Sequence, residues 1–99
     1  MEQITANIIK WAAERQLLSP NNDRNQALKL VEEVGELCRA ILKDDQEGVI
    51  DGIGDCLVVL TILAEQTGLS LETCYQSAWN EIKDRQGNTV NGTFIKRQS

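Results

Sequence analysis

Two aspartates, Asp51 and Asp55, lie in the most apolar stretch of the sequence, residues 50–64. A carboxylate in an apolar interior must be paired, protonated or bound to a metal, because an unpaired buried charge is very costly. The sequence contains no Lys, Arg or His between Lys43 and Lys83 that could pair with either aspartate. This arrangement indicates a site that holds a divalent metal ion.

A second acidic group, Glu32, Glu33 and Glu36, lies upstream on a predicted helix. Residues four apart share a helical face and adjacent residues are about 100° apart, so the three glutamates cover one arc. Asp51 and Asp55 likewise project from one face of the next predicted helix. If the two helices pack antiparallel, the five carboxylates converge, and they can crowd together only around metal. Mg²⁺ suits such a site because it binds carboxylates, waters and substrate phosphates.

The same residues have a plainer interpretation. The three glutamates lie opposite the apolar stripe of their helix, where a solvated acidic face is the default. Asp55 could instead make a structural polar contact across the bundle. The sequence contains no histidine, which excludes His-based metal sites, Ser-His and Cys-His triads and the Glu-x-x-His pairs of di-iron bundles.

Hydrophobic periodicity predicts an all-α, four-helix bundle-like single domain over residues 1–99. The apolar run at 58–62 could pass for a strand, but its segment is about twenty residues long, lacks proline and ends at Gly68, which favours a helix. Asp23 or Asn22 is predicted to cap the second helix, and Ser70 the fourth. The predicted helices span about residues 2–16, 24–43, 46–66 and 70–84, followed by a short ordered tail that forms a turn or hairpin.

The third helix is apolar on nearly every side, and Gly48, Gly52 and Gly54 permit close helix approach. A helix that is apolar all round must be surrounded, and three other helices in a 99-residue chain can hardly cover it. We therefore expect a homo-oligomer, either a homodimer or a homotetramer, in which this helix also packs against another subunit.

Composition narrows the function classes. The formal net charge of −5 argues against a general nucleic-acid binder, since phosphate backbones call for basic surface. The sequence has no signal-peptide pattern and no apolar run of the roughly 20 residues that a membrane span needs. Cys38, Cys56 and Cys74 are predicted to be reduced and buried in a cytoplasmic protein.

Three segments together carry a family resemblance: LVEEVGEL at residues 30–37, IGDCL at 53–57 and WNEIKDR at 79–85, with Gly92, Phe94 and Lys96 behind them. They resemble the small single-domain MazG-like all-α nucleoside triphosphate pyrophosphohydrolases over nearly the whole chain. EExxE alone is a weak motif, but its combination with the later Gly-Asp step and the Asn-x-x-Lys-x-Arg stretch is fairly specific. One departure is Gly52, where the family's frequent ExxD motif has an acid. Asp51 lies on the same helical face as Asp55 and takes that role.

The resemblance implies hydrolysis of a (deoxy)nucleoside triphosphate between its α- and β-phosphates, giving monophosphate and pyrophosphate and serving nucleotide-pool house-cleaning. It implies Mg²⁺, with Mn²⁺ as an alternative ion. The implied metal ligands are Glu33, Glu36, Asp51 and Asp55. Glu32 and Glu33 are the catalytic candidates, with Glu32 either a further ligand or the base that orients the attacking water.

The resemblance also implies cations for the triphosphate. Arg85 could make bidentate phosphate contacts, with Lys83 a point charge and Asn80 a partner of the sugar or base. Lys29 either reaches phosphate or pairs with Glu33, and the basic pair at 96–97 could close over the substrate. The alternative function is a non-catalytic, oligomeric helical module that presents an acidic face to a partner.

Overall fold

Four α-helices and a C-terminal hairpin make up the computed structural model, which describes residues 2–97. The all-α prediction is confirmed, and each predicted helix is present within two residues of its expected ends. The helices are α1 (Glu2–Glu14), α2 (Asp23–Leu42), α3 (Gln46–Gln66) and α4 (Leu71–Ile82), with a short 3₁₀ turn at Pro20–Asn22; the strands are β1 (Gly87–Val90) and β2 (Thr93–Lys96).

Local capping fixes where these helices begin. An Asp45 carboxylate oxygen accepts a hydrogen bond from the Gly48 N–H at 3.0 Å and starts α3. Ser70 caps α4 as predicted, because its hydroxyl accepts from the Thr73 N–H at 3.1 Å. Asn22 occupies the N-cap position of α2, but its side chain does not bond the helix backbone.

The central element is α3, which contacts α1, α2 and α4. It packs antiparallel on α2 at unusually short range. A Cβ added to Gly48 would lie 3.0 Å from the Ala40 Cβ, and one added to Gly52 would lie 3.0 Å from the Leu37 Cβ. The glycines of α3 therefore allow the close helix approach that was predicted, and this approach brings the acidic residues of the two helices together.

The face of α2 that packs on α3 is only partly the predicted apolar stripe. Leu30 and Leu37 belong to that stripe, are half-buried and lie with the buried Ala40 on the same side of α2 as Glu33. The plainer interpretation, a solvated acidic face, fails at Glu33, which is buried. The other members of the predicted stripe are exposed: Ala27, Val31, Val34, Cys38, Ile41 and Leu42.

The cysteine prediction is half wrong for the same reason. All three cysteines are free, in agreement with the expected reduced thiols. Cys38 and Cys74 are nevertheless exposed rather than buried, and Cys56 is intermediate. Cys38 lies in the exposed part of the apolar stripe of α2, so its exposure follows from the exposure of that part.

The predicted tail hairpin is confirmed. Strands β1 and β2 pair antiparallel, with Gly87 opposite Lys96 and Val90 opposite Thr93. Asn91 and Gly92 form the turn with φ of 50° and 79°, the positive values that a tight two-residue hairpin turn requires. Among residues 2–97, no helix combines the length and the apolar character that crossing a bilayer would take.

Candidate active site

The predicted acidic site centres on Glu33 of α2 and Asp55 of α3. Glu33 is only 6% exposed, and its Oε1 lies 3.2 Å from the Lys29 Nζ. Its second oxygen, Oε2, is buried and has no hydrogen-bond partner. The Asp55 carboxyl group lies close enough to Glu33 for Glu33 to raise the pKa of Asp55. Two carboxylates are both acceptors, so such a contact is stable only with a shared proton or a cation.

The pKa of Asp55 reflects this unfavourable proximity of two carboxyl groups. Loss of solvent around its carboxyl group raises the pKa of Asp55 most, although the residue as a whole stays exposed. The charge of Glu33 and the contact with it raise this pKa further, Asp51 adds a smaller effect, and Lys29 lowers it. The pair is therefore short of positive charge, since the single ammonium of Lys29 serves Glu33.

The other two predicted ligands lie beside this pair. Glu36, Asp51 and Asp55 all line one cleft of about 350 Å³ between α2 and α3. Glu33 joins them through its contact with Asp55. No three Asp, Glu, Cys or His side chains within residues 2–97 are grouped so that they could hold a metal ion. The convergence of the two acidic helices agrees with the expectation, while the ligand set stays a prediction.

Gly52 explains the departure from ExxD in physical terms. It is buried, and a Cβ there would lie 3.0–3.1 Å from three atoms of Leu37, including its backbone Cα. Leu37, including its backbone, would have to move by a few tenths of an ångström to admit even the Cβ of an acidic side chain here. Asp51, by contrast, is exposed and lines the cleft. The role of Asp51 in place of the family acid stays a prediction.

Two cations at the cleft were missed by the sequence reasoning. Arg39 and Lys43 line it together with Glu36. Arg39 lies on α2 and Lys43 is its C-cap, so both lie outside the interval without basic residues that follows Lys43. The spacing of Glu36, Ala40 and Lys43 places them on one helical side, which is the signal that could have found Lys43. The remaining lining residues are Ala40, Asp45, Gly48 and Gly52.

The predicted substrate-binding residues are dispersed. Lys29 pairs with Glu33, one of its two expected alternatives, and lies 4.0 Å from the exposed Glu32. On α4, Asn80 accepts a hydrogen bond from Gln76 at 3.0 Å. Arg85 forms an ion pair with Glu81 at 3.5 Å. The cleft lining within residues 2–97 includes none of Asn80, Lys83 and Arg85, so one chain does not bring them to the acidic cleft.

Comparison with known proteins adds family evidence. A family model described as MazG nucleotide pyrophosphohydrolase domain matches residues 22–90, which contain every predicted site residue except the basic pair at 96–97. An uncharacterized 18.2 kDa protein in the rep-hol intergenic region of Haemophilus phage HP1 (strain HP1c1) is 42% identical over 66 residues. That match covers 67% of this chain but only 40% of the phage protein, so the chain spans less than half of that relative. No solved structure matches.

Proposed function

Because the chain belongs to the MazG nucleotide pyrophosphohydrolase family, we propose that it hydrolyses (deoxy)nucleoside triphosphates with Mg²⁺ at the α–β phosphate bond. The products are a nucleoside monophosphate and pyrophosphate. The reaction would remove unwanted nucleotides from the cell. The observation that carries the proposal is the buried, unpartnered Oε2 of Glu33 beside Asp55. The large majority of buried side-chain oxygens in folded proteins have a hydrogen-bond donor.

The donor chemistry of the cleft fits a divalent cation. Hard ions such as Mg²⁺ and Mn²⁺ take carboxylate oxygens. Glu33, Glu36, Asp51 and Asp55 are the proposed ligands. Neither Glu36 nor Asp51 makes a hydrogen bond or an ion pair within residues 2–97. When bound, the ion would neutralise phosphate charge and lower the pKa of a bound water.

The proposed reaction needs positioning and one proton transfer. Glu32 is exposed and lies next to Glu33 on α2. We assign Glu32 as the base that takes a proton from the attacking water. The new bond joins the water oxygen to phosphorus, the bridging P–O bond breaks, and the leaving group departs with the electron pair. Arg39 and Lys43 are placed at the cleft to offset charge on the triphosphate.

The size of the chain's exposed apolar surface supports a homo-oligomer. The radius of gyration is 16.0 Å, whereas a compact domain of about 100 residues has about 13 Å. Among residues 2–97, the buried apolar core consists of five residues: Ala12, Ala40, Val59, Ile62 and Ala64. On α3, Ile50, Ile53 and Leu57 remain exposed at helical spacing. We propose a homodimer or homotetramer that acts on free nucleotides in the cytoplasm rather than on nucleic acid.

The test is pyrophosphate release from a panel of common and damaged nucleoside triphosphates with Mg²⁺. We expect turnover of at least one nucleotide by the wild type. Asp55→Asn should lose more than the roughly 10–100-fold typical of changes beside a metal site. Glu14→Gln removes one carboxylate charge from α1, outside the matched region, and should leave the rate unchanged.

The same assay separates the enzyme from a non-catalytic helical module. Folded wild-type protein that turns over no nucleotide in the panel would contradict the proposed activity. An Asp55→Asn variant as active as Glu14→Gln would leave the activity in place and contradict the ligand set.

A further inference from the structure

The C-terminal part of the chain differs sharply in charge from the rest. We call residues 83–97 the basic arm; it follows α4 and contains both strands of the hairpin. Four of the ten Lys and Arg residues lie in it, but only one of the fifteen Asp and Glu residues. The rest of the chain therefore has six basic and fourteen acidic residues. The arm's charged residues are Lys83, Asp84, Arg85, Lys96 and Arg97.

The basic arm is held together by its own hydrogen bonds but packs little against the rest of its chain. The Arg97 Nη1 donates to the Gln86 Oε1 at 2.6 Å, and the strand pairing closes the hairpin. Val90, Phe94 and Ile95 are nevertheless about half exposed, and α4, which precedes the arm, buries none of its described residues. A two-stranded hairpin by itself is marginally stable in water. The arm therefore needs a surface to pack against.

The acidic cleft supplies the complementary charge. Four carboxylates line it, and its two cations, Arg39 and Lys43, do not balance them. Within residues 2–97, no residue of the basic arm lines the cleft of its own chain. A second copy of the chain presents the same cleft, and the net positive charge of the arm complements its excess of carboxylates.

We propose that the basic arm of one copy lies over the acidic cleft of a second copy and supplies Lys96 and Arg97 as ligands of the triphosphate bound there. The role of the two cations rests on the proposed function. Each site is then built from two chains, with the carboxylates from one and the terminal cations from the other. After metal binding, the triphosphate would still carry negative charge. Lys96 and Arg97 would pair with that remaining charge.

Complementation between two defective variants tests this arrangement. Asp55→Asn keeps the arm intact, and the double variant Lys96→Ala, Arg97→Ala keeps the cleft intact. Each alone should lose activity, and subunit exchange should restore about a quarter of the wild-type rate. In randomly mixed dimers, half of the dimers are mixed and one site in each has both intact parts. The double variant Lys10→Ala, Arg24→Ala, with the same charge loss outside the arm, should keep full activity.

A mixture that is no more active than the average of its two components would overturn the proposal. That result is also what an arm folding back over its own cleft would give.

Cross-linking tests the docking without activity. A carbodiimide joins an amine to a neighbouring carboxylate, so a mixture of ¹⁵N-labelled and unlabelled protein should give mixed-isotope peptides joining Lys96 to cleft carboxylates such as Asp51. Lys96→Arg keeps the charge but cannot couple, and should remove these peptides. Same-isotope cross-links alone, or none from Lys96, would overturn the docking. Mixed-isotope cross-links in protein that hydrolyses no nucleotide would support the docking and contradict the proposed activity.

Discussion

At the scale of single residues, the Glu33–Asp55 contact destabilises the free protein but provides a candidate binding site for a cation. Glu33 is buried with one oxygen satisfied by Lys29 and the other without a donor. Placing a second carboxyl against it raises the pKa of Asp55 and disfavours its ionised form. A cation that binds both groups would remove this conflict, so the free protein should be less stable than the metal-bound protein.

Asp55→Asn should therefore stabilise the metal-free protein at neutral pH. The pKa of Asp55 is higher in the folded chain than in the unfolded chain, where it has its ordinary value. The folded chain then binds more protons between these two pKa values, so stability falls as the pH rises through that interval. Thermal unfolding in chelator should show a melting temperature for Asp55→Asn a few degrees above wild type at pH 7. The difference should vanish as the pH approaches about 4. A variant less stable than wild type at pH 7 would contradict the repulsion.

Metal addition should reverse that order. A ligand that binds the folded chain alone stabilises it by about 2.7 kcal/mol at a hundredfold excess over its Kd. Millimolar Mg²⁺ or Mn²⁺ should raise the melting temperature of the wild type and leave Asp55→Asn nearly unchanged. Glu14→Gln should respond as the wild type does. Equal shifts in all three proteins would place the bound ion elsewhere.

At the scale of elements, the site depends on the close contact between α2 and α3. Gly52 is buried against Leu37, and the same helix turn carries Asp51 into the cleft. Separation of the two helices by a side chain at this position would move the carboxylates of α3 away from those of α2. The glycine thus fixes both the packing distance and the geometry of the acidic residues.

Gly52→Ala should destabilise the protein although alanine is the better helix former. Overpacking typically costs about 1–3 kcal/mol, and the gain in helix propensity returns about 1 kcal/mol, so a net loss of about 1 kcal/mol is expected. Gly35→Ala on α2 is the matched control, because its Cβ would meet only the flexible Arg39 Nη1, at 3.9 Å. It should gain up to about 1 kcal/mol. Urea unfolding measures both, and equal effects would mean that the contact at Gly52 is not tight.

Elements were the most predictable level of this structure. Helical periodicity, the Ser70 cap and the glycine after α3 give all four helices, since these signals act within a few residues. Gln16, with φ of 61°, ends α1 earlier than predicted, because no local pattern marks that residue. The burial of Glu33 and the presence of Lys43 at the cleft depend on the rotation of α2 against α3. Hydrophobic periodicity does not predict that rotation when both faces of a helix can pack against other elements.

At the scale of the whole molecule, the main feature is the large amount of exposed apolar surface on the helices. Leu28, Val31 and Leu42 of α2 are 66%, 70% and 83% exposed. Exposed Ile50, Ile53 and Leu57 follow α3, and Tyr75 and Trp79 follow α4. Large exposed apolar patches mark protein–protein contacts in soluble proteins. Because the helices share one small core, association would also contribute much of the stability of the fold.

Val31→Glu should therefore reduce self-association. It places a charge in the exposed apolar stripe of α2, and an unpaired charge in a buried contact is unfavourable. Light scattering after size exclusion should find the wild type as a dimer or tetramer and Val31→Glu shifted towards monomer, with a lower melting temperature that depends on protein concentration. Asn25→Glu makes the same charge change at an exposed polar position of α2 and should behave as the wild type. If association is needed to complete each site, pyrophosphate release by Val31→Glu should fall with dilution, whereas Asn25→Glu keeps a constant specific activity. A wild type that is monomeric across micromolar concentrations would contradict both the oligomer and the two-chain site.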